Sequence, residues 1–242
     1  MKYSVVIPTR NRASYLRHTL ATCLAAVRDD CEVIVSDNSD ADQSGAVAEL
    51  VRGAKSAVVR HVRPDDAPLG MSAHWEFALS HVRGDYVVVI GDDDGLLAGT
   101  FSALDQIVAA TSARIVGWPR IDYCWPDHVS DPLRDRVIIP LADDRLKYEP
   151  ARFDGHRELR RVLRHPEQYE TLPVLYHSAV HRTALELLLQ PPAPYIRGCA
   201  PDVYSGVVLA FLARDYVRLR TPLSVSGAVS YTHLTLPTIL RV

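Results

Sequence analysis

Residues 85–94 read Asp-Tyr-Val-Val-Val-Ile-Gly-Asp-Asp-Asp, an apolar run that stops at three consecutive carboxylates. A short valine-rich run predicts a β-strand, and the absence of polar alternation indicates burial on both faces of a sheet. Strands of that kind belong to parallel sheets that helices cover on both sides. This stretch therefore predicts an α/β domain in which the acidic triplet, residues 92–94, follows a central strand.

The remainder of the first half fits around this strand. Residues 5–7 and 31–36 are two further β-branched runs, and segments with helical spacing of apolar residues separate the strands as far as residue 118. Such alternation predicts a largely parallel sheet. Ligands of these sheets bind at the carboxyl ends of the strands, so we expect the loops at 8–12 and 36–39 to join the triplet in one site.

The acidic triplet points to metal-assisted phosphate chemistry. Three adjacent carboxylates at a buried strand end are costly unless a cation or hydrogen-bond donors compensate them. Oxygen ligands of this kind suit Mg²⁺ or Mn²⁺ bound together with a phosphate-bearing ligand. A solvated turn is the alternative, which the position after a central strand disfavours. The sequence lacks a P-loop, a G-x-G-x-x-G after the first strand, and a G-x-S-x-G elbow.

The composition and charge of the chain limit the classes of partner and the cellular setting that we expect. The 242-residue chain has a net charge of −2 and 48% hydrophobic residues, as a globular protein does. Because it has no general basic field, we expect no nucleic-acid partner. It contains no run of 18 apolar residues, so no transmembrane segment is expected. The four cysteines form no C-x-x-C pair, which disfavours structural zinc and favours a reduced, cytoplasmic setting.

Three motifs of the first half occur in a characteristic order. Residues 4–12 read Ser-Val-Val-Ile-Pro-Thr-Arg-Asn-Arg, residues 33–39 read Val-Ile-Val-Ser-Asp-Asn-Ser, and residues 84–97 contain the acidic triplet. In order and spacing they resemble the opening strand, the second motif and the metal-binding D-x-D motif of the inverting family 2 glycosyltransferases. The resemblance is strong over residues 3–118. It implies a single α/β domain of the GT-A, Rossmann-like type, with a mostly parallel central sheet flanked by helices.

The resemblance also implies roles for individual residues. Asp37 would accept a hydrogen bond from the nucleotide base, Asp92 would meet the ribose, and Asp93 and Asp94 would hold Mg²⁺ or Mn²⁺. Alignment with the family's D-x-D-D makes Asp93 the main metal ligand, whereas strand alternation pairs Asp92 with Asp94. The implied donor-binding residues are Pro8, Thr9, Arg10, Asn11, Asp37 and Asp92.

In this family the catalytic base is an acidic residue at the start of a helix in the second half. Asp202, which follows Pro201 and precedes an amphipathic run, fits that position. An aspartate there can equally serve only to complement the helix dipole. Aromatic rings stack on sugars, so the acceptor candidates are Trp118, Tyr123 and Trp125, for which core packing is an equal alternative.

Three histidines are weaker candidates. His74 could touch a donor diphosphate, but its position is more typical of a surface helix. His177 and His181 are four residues apart, as metal ligands on a helix would be, but no acidic residue lies near them in the sequence. We therefore expect no metal site at this histidine pair.

The resemblance implies an enzyme that transfers a sugar from a nucleoside diphosphate sugar to an acceptor hydroxyl, with inversion at the anomeric carbon. UDP-sugars are the first candidates for the donor. Asp202 would take the acceptor proton, and the divalent cation would neutralise the departing diphosphate. The usual context is bacterial cell-surface polysaccharide or glycolipid synthesis, in the cytoplasm at the inner face of the membrane, with peripheral membrane contact. The alternatives are an inactive nucleotide-sugar-binding relative or fragment and, less favoured, a sugar-1-phosphate nucleotidyltransferase.

One domain is expected over residues 1–228, with a nucleotide-sugar-binding half at 1–118 and an acceptor-binding half at 119–228. Residues 229–238 read Val-Ser-Tyr-Thr-His-Leu-Thr-Leu-Pro-Thr, which resembles a translated sequencing adapter. We expect residues 229–242 to be a non-native tail on a chain truncated at its C-terminus. An ordinary Thr-rich β-tail is the alternative. If it is non-native, this tail carries no information about the fold.

Overall fold

The computed structural model describes residues 1–139, 150–190 and 194–229, which form twelve strands and seven α-helices. The strands are β1 (Tyr3–Thr9), β2 (Cys31–Asp37), β3 (Val59–Val62), β4 (Tyr86–Val89), β5 (Gly95–Leu96), β6 (Ile115–Gly117), β7 (Arg120–Cys124), β8 (Arg136–Ile138), β9 (Ala151–Asp154), β10 (Ser178–His181), β11 (Asp215–Arg218) and β12 (Ser224–Ala228). The helices are α1 (Ala13–Ala26), α2 (Ser44–Gly53), α3 (Met71–Leu79), α4 (Thr100–Thr111), α5 (Gly155–Val162), α6 (Arg182–Leu188) and α7 (Pro201–Leu212). Short 3₁₀ segments lie at Asp131–Leu133 and Pro166–Thr171.

The larger sheet has eight strands in the order β3-β2-β1-β4-β10-β6-β11-β9. Strands β3, β2, β1 and β4 are parallel, and so are β6 and β11. Strand β10 runs antiparallel to both of its neighbours, and β9 runs antiparallel to β11. The sheet is therefore parallel where it carries the three motifs and mixed beyond them.

Alternate residues of the central strands enter two different helical layers. On β1, Val5 and Ile7 pack with side chains of α1 and α4, whereas Val6 packs with side chains of α3, α6 and α7. Complete burial of one such side chain contributes about 1.5–3 kcal/mol. The central sheet thus lies between two layers of helices, as the unbroken apolar strands predicted.

A smaller sheet joins the second half of the chain to the acidic triplet. Its strand order is β5-β12-β7-β8, and β5 begins directly after the triplet. Strand β12 pairs antiparallel with β5 and parallel with β7. The residues near 225 are thereby brought beside the acidic turn, although more than a hundred residues separate them in sequence.

Two expectations from the sequence concern the C-terminal tail and membrane-spanning helices. Of the tail at 229–242, only Val229 is described and it is buried; residues 230–242 lie outside the described residues. Among the residues that the structure describes, no helix combines the length and the apolar character that crossing a membrane requires.

Candidate active site

The three polar loops meet at one edge of the large sheet. Strands β1, β2 and β4 are adjacent and parallel, and Thr9 at the end of β1 lies beside Asp37 at the end of β2. A groove of about 440 Å³ opens at this edge, a size usual for small-molecule sites. The predicted site residues that line it are Pro8, Thr9, Arg10, Asp92, Asp93 and Asp202.

Asp92 and Asp93 present carboxylates to this groove. Arg12 Nη1 lies 2.9 Å from Asp92 Oδ1 and 3.2 Å from Asp93 Oδ2, and the Thr9 hydroxyl donates to Asp92 Oδ2 at 2.8 Å. Burial raises the pKa of Asp92, and burial together with the charges of Asp94 and Asp92 raises the pKa of Asp93 to about 7. One guanidinium beside two buried carboxylates therefore leaves the fully ionised pair unfavourable.

Asp94 points away from the groove. Its Oδ1 accepts a hydrogen bond from the backbone N–H of Gly227 at 2.8 Å, and its Oδ2 accepts from the backbone N–H of Gly91 and from the hydroxyl of Tyr176. Its side chain is 0% exposed. Burial alone would raise the pKa of Asp94, but these donors and the neighbouring His177 lower it. Asp94 thus holds the turn together, while Asp92 and Asp93 line the groove; metal binding by Asp93 and Asp94 stays a prediction.

Two glycines allow the backbone to close around this turn. A Cβ atom on Gly227 would lie 2.0 Å from the carbonyl oxygen of Asp93, and one on Gly91 would lie 2.8 Å from the hydroxyl of Tyr176. Both distances are far below van der Waals contact. A side chain at Gly227 would therefore force apart backbone segments at the acidic turn, and one at Gly91 would displace the side chains of Tyr176 and the neighbouring aspartates.

A chain of polar contacts extends behind Asp94. Trp118 Nε1 donates to Ser224 Oγ at 2.8 Å, and Ser224 Oγ lies 2.7 Å from His177 Nδ1. The indole N–H can only donate, so the hydroxyl of Ser224 accepts from it and is free to donate its own hydrogen bond to Nδ1 of His177. Nδ1 then acts as the acceptor, which assigns the imidazole proton to Nε2. That atom lies 3.1 Å from Asp94 Oδ2 at an angle too poor for a hydrogen bond, so the contact is electrostatic.

In the loop after β2, the carboxylate of Asp37 is bound by protein groups and not presented to the groove as expected. Asp37 is buried; its carboxylate accepts from Ser39 N–H at 2.9 Å and lies 3.3 Å from His61 Nε2 and 3.5 Å from Arg63 Nη1. Burial alone would raise the pKa of Asp37, but His61 and the other donors lower it. The groove is lined here by Asn38 instead. Base recognition by Asp37 stays a prediction.

Two donor-binding candidates clamp this loop from the end of β1. The side-chain amide of Asn11 donates to Asp40 at 2.6 Å and accepts from the Asp40 N–H at 2.9 Å. Arg10 forms an exposed ion pair with the same carboxylate at 3.3 Å. Arg10 also lines the groove, whereas Asn11, with its left-handed φ of 57°, is part of the loop framework.

Asp202 reaches the groove from the second half of the chain. Pro201 begins α7, so Asp202 lies in the first turn, where the helix dipole favours a carboxylate. Its side chain lines the same groove as Asp92 and Asp93. Within the described ranges no side chain or N–H group donates to its carboxylate. The position is therefore compatible with a base and with a dipole partner alike.

The histidines differ from their expected environments. His74 is buried, with Nε2 2.9 Å from Ser36 Oγ and 3.1 Å from the Ser36 carbonyl oxygen, so its placement on a surface helix is wrong. Burial lowers the pKa of His74 to about 4, which leaves the ring neutral at pH 7. The segment from His177 to His181 is not helical but enters β10, and its acidic neighbour is Asp94, 83 residues earlier in the sequence.

The three aromatic acceptor candidates separate in the structure. Trp118 is 4% exposed and belongs to the hydrophobic core, with its N–H bonded to Ser224. Trp125 donates to the carbonyl oxygen of Asp93 at 3.1 Å and packs edge-on against Tyr15 and Tyr123. These contacts place Trp125 and Tyr123 beside the acidic turn, whereas Trp118 packs in the core; an acceptor role for the three rings stays a prediction.

The carboxylates at the acidic turn provide part of the ligand set that a divalent cation needs. In the described residues no group of three or more His, Cys, Asp and Glu side chains is arranged to hold a metal ion. Asp92 and Asp93 nevertheless offer two carboxylates on an open groove, and Mg²⁺ is commonly bound by one or two carboxylates plus phosphate and water. A cation bound there would need further ligands from a phosphate-bearing molecule.

Three residues at the turn were missed as site residues: Arg12, Tyr176 and His177. Arg12 lies inside the first motif, and its position in the polar loop at the carboxyl end of the first strand was an available signal. The sequence around Tyr176 and His177 carries no comparable signal, because their roles arise from contact with Asp94 across the fold.

Comparison with known proteins places this site in a family. The family model described as "Glycosyl transferase family 2" matches residues 4–162. A glucosyltransferase of Campylobacter jejuni, "GalNAc(5)-diNAcBac-PP-undecaprenol beta-1,3-glucosyltransferase", is 27% identical over 116 residues, which cover 48% of this chain and 37% of that protein.

Solved structures share the fold at low sequence identity. S. aureus TarS 1–349 superposes with a TM-score of 0.65 at 15% identity over 95% of this chain and 60% of that one; the same fragment in complex with UDP-GlcNAc gives a TM-score of 0.63 at 15% identity, over 94% and 58%. The mannosyltransferase PcManGT of Pyrobaculum calidifontis, in complex with GDP-Man and Mn²⁺, gives a TM-score of 0.60 at 20% identity over 96% and 58%. The chain thus spans less than two thirds of the length of each of these relatives. The match to the family model covers the β1, β2 and β4 loops, and the chain belongs to glycosyl transferase family 2, with the GT-A type of α/β fold.

Proposed function

We propose that this protein is a metal-dependent, inverting glycosyltransferase that uses a nucleoside diphosphate sugar, with UDP-sugars as the first candidates. The observation that carries the proposal is the shared groove: Asp202 from the second half faces the same space as Asp92 and Asp93 from the first. Inversion by direct displacement needs a base beside the acceptor hydroxyl and charge compensation beside the leaving diphosphate. The groove offers both kinds of group.

On the donor side, Asp92 and Asp93 would hold the divalent cation between them and the diphosphate. Bound there, the cation would stabilise the negative charge that develops on the leaving group. Arg12, within 3.2 Å of both carboxylates, adds a fixed positive charge at the same place. Pro8 and Thr9 would line the nucleoside, in the half of the chain that we assign to donor binding, residues 1–118.

On the acceptor side, Asp202 would remove the proton of the acceptor hydroxyl. As that oxygen forms its bond to the anomeric carbon, the bond from the same carbon to the diphosphate oxygen breaks, and the proton stays on the carboxylate. The neutral imidazole of His74 lines the groove nearby and supplies shape without charge. We assign acceptor binding to residues 119–228.

The acceptor class is suggested by the named relatives. The Campylobacter glucosyltransferase acts, by its name, on an undecaprenol-linked glycan. We propose a comparable role in cell-surface glycan assembly, at the cytoplasmic face of the membrane. The cysteines at 23, 31, 124 and 199 are all free, which fits a reducing compartment.

Calorimetry tests the donor site. UDP and GDP are titrated into the protein with Mn²⁺ or Mg²⁺ and again with EDTA. We expect binding of one nucleotide that depends on the metal, because two carboxylates facing a diphosphate would repel it without a cation. Equal affinity in EDTA would reject the metal role, and absence of binding by either nucleotide would reject this donor class.

The substitution Asp202→Asn tests the base. It keeps the size of the side chain but cannot take a proton, so donor binding should persist while sugar transfer falls about 10²–10⁴-fold, the usual contribution of a general base. Transfer is followed by UDP release with a glycolipid extract as acceptor. Asp215→Asn, on β11 outside the groove, is the control. An Asp202→Asn variant as fast as wild type would leave the helix dipole as the role of this residue.

A further inference from the structure

A second cavity shares Asp202 with the donor groove. It has a volume of about 260 Å³ and is enclosed by the ends of β6 and β11, strand β7, the 3₁₀ segment at Pro166–Thr171 and α7. Two residues, Tyr176 and Asp202, line both this cavity and the donor groove. The cavity therefore adjoins the donor groove at Asp202.

Two guanidinium groups face this cavity, and they differ in their partners. Arg120 forms an ion pair with Glu170 at 2.6 Å. Arg218, at the end of β11, is half-buried, and no carboxylate or carbonyl oxygen of the described ranges binds it. Burial lowers the pKa of Arg218 because it takes the charge partly out of water, and the charges of Glu158 and Glu170 offset only part of that effect.

A half-buried guanidinium without a partner is costly, and its usual partner is a carboxylate or a phosphate bound through two parallel hydrogen bonds. The rest of the cavity limits what that partner can be. Asp122, Glu170 and Asp202 also line it, so a molecule with several negative groups would meet repulsion. A molecule with one negative group at Arg218 and neutral hydroxyls elsewhere would not.

We propose that this cavity is the acceptor site and that Arg218 binds a single oxyanion, a carboxylate or a phosphate, carried by the acceptor. The inference rests on the proposed function, because it takes Asp202 as the group that the acceptor hydroxyl approaches. The oxyanion would anchor the acceptor at one end of the cavity while its hydroxyl lies at the other, beside Asp202. Arg218 would then determine acceptor specificity without taking part in the chemistry.

The test uses small acceptor analogues and the whole chain. With UDP and Mg²⁺ at saturation to fill the donor groove, glucuronate, glucose 6-phosphate, inorganic phosphate and glucose are titrated by NMR. We expect the first three to bind more tightly than glucose, and the ranking of glucuronate and glucose 6-phosphate to distinguish a carboxylate from a phosphate. Arg218→Gln should weaken the preferred anion by about tenfold or more, the loss of a charge-assisted hydrogen bond. Arg218→Lys should retain part of the affinity, since it keeps the charge.

The control is Arg220→Gln, an exposed arginine on the same segment that does not line the cavity, and it should bind as wild type does. Anions that bind no better than glucose to the wild-type protein would overturn the proposal without any variant. So would Arg218→Gln with unchanged affinity, or Arg220→Gln with an equal loss. Failure of UDP to bind in the first titration would instead count against the proposed function, and the effect of Arg218 on anion binding would still be measured.

Discussion

Asp93 and Asp94 are neighbours in sequence, yet the fold gives their carboxylates opposite environments. Asp93 faces an open groove, with Arg12 at 3.2 Å, and burial beside two other carboxylates raises its pKa to about 7. Asp94 turns inward, where donors from Gly91, Tyr176 and Gly227 surround it and its pKa is lowered. Both side chains are almost inaccessible to solvent, so burial does not distinguish them.

The difference shows that hydrogen-bond donors decide what a buried carboxylate does. Asp94 has its acceptor positions filled by the protein and serves to fix the turn. Asp93 has too few donors and too much neighbouring negative charge, which is unfavourable for the isolated protein and favourable for a bound cation. One acidic triplet thus divides into a structural carboxylate and a pair suited to a ligand.

The largest effect on this comparison is expected from Asp93→Asn. Loss of a carboxylate that we assign to the metal should lower sugar transfer by about 10²–10³-fold, the usual cost of removing one stabilising group from a charged transition state. Thermal stability in EDTA should stay the same or rise, because the repulsion from Asp92 and Asp94 is relieved. Transfer is measured by UDP release, and stability by thermal melting. A variant that melts well below wild type would place Asp93 with Asp94 as a structural residue.

Asp94→Asn should show the reverse pattern. An amide nitrogen in place of one carboxylate oxygen would face the N–H of Gly91 or Gly227 or the hydroxyl of Tyr176, leaving buried donors unpaired. We expect the free energy of unfolding to fall by about 2–4 kcal/mol. Urea denaturation at constant EDTA measures it, with Asp93→Asn as the matched control. If Asp94→Asn unfolds at the same urea concentration as wild type, the inward carboxylate is not what holds the turn.

The fold was predictable where apolar patterns are long. The strands predicted at 5–7, 31–36 and 85–90 correspond to β1, β2 and β4. They could be predicted because a strand that is buried on both faces consists of consecutive apolar residues, here mostly valine and isoleucine. Strands β10 and β12 were not predicted. Each has four or five residues, and Ser178, Ser224 and Gly227 interrupt their apolar character. Their strand geometry comes from pairing with distant neighbours, which sequence alone does not show.

The site was predictable as a place more than as a set of contacts. Parallel topology brings the ends of β1, β2 and β4 together, so a groove at residues 8–12 and 92–93 follows from the pattern. Which way each carboxylate of the triplet points does not. Strand alternation paired Asp92 with Asp94, but β4 ends at Val89 and the period of two is lost before the triplet. The inward turn of Asp94 depends on Tyr176 and His177, more than eighty residues away.

The smallest effect on the comparison is expected from removing one hydroxyl. Tyr176→Phe deletes a donor to the buried Asp94, and Tyr123→Phe deletes a donor to the exposed Asp135 at 2.8 Å. A hydrogen bond to a buried charge is worth about 1.5–3 kcal/mol, whereas an exposed pair is worth less than about 0.5 kcal/mol. Urea denaturation should therefore show a loss of at least about 1.5 kcal/mol for Tyr176→Phe and almost none for Tyr123→Phe. Metal-dependent UDP binding should change less than about threefold for Tyr123→Phe, since Tyr123 does not line the donor groove, whereas Tyr176 does. Equal losses of stability would mean that the donors around Asp94 contribute no more than a surface contact does, and the distinction between the two carboxylates would then rest on charge alone.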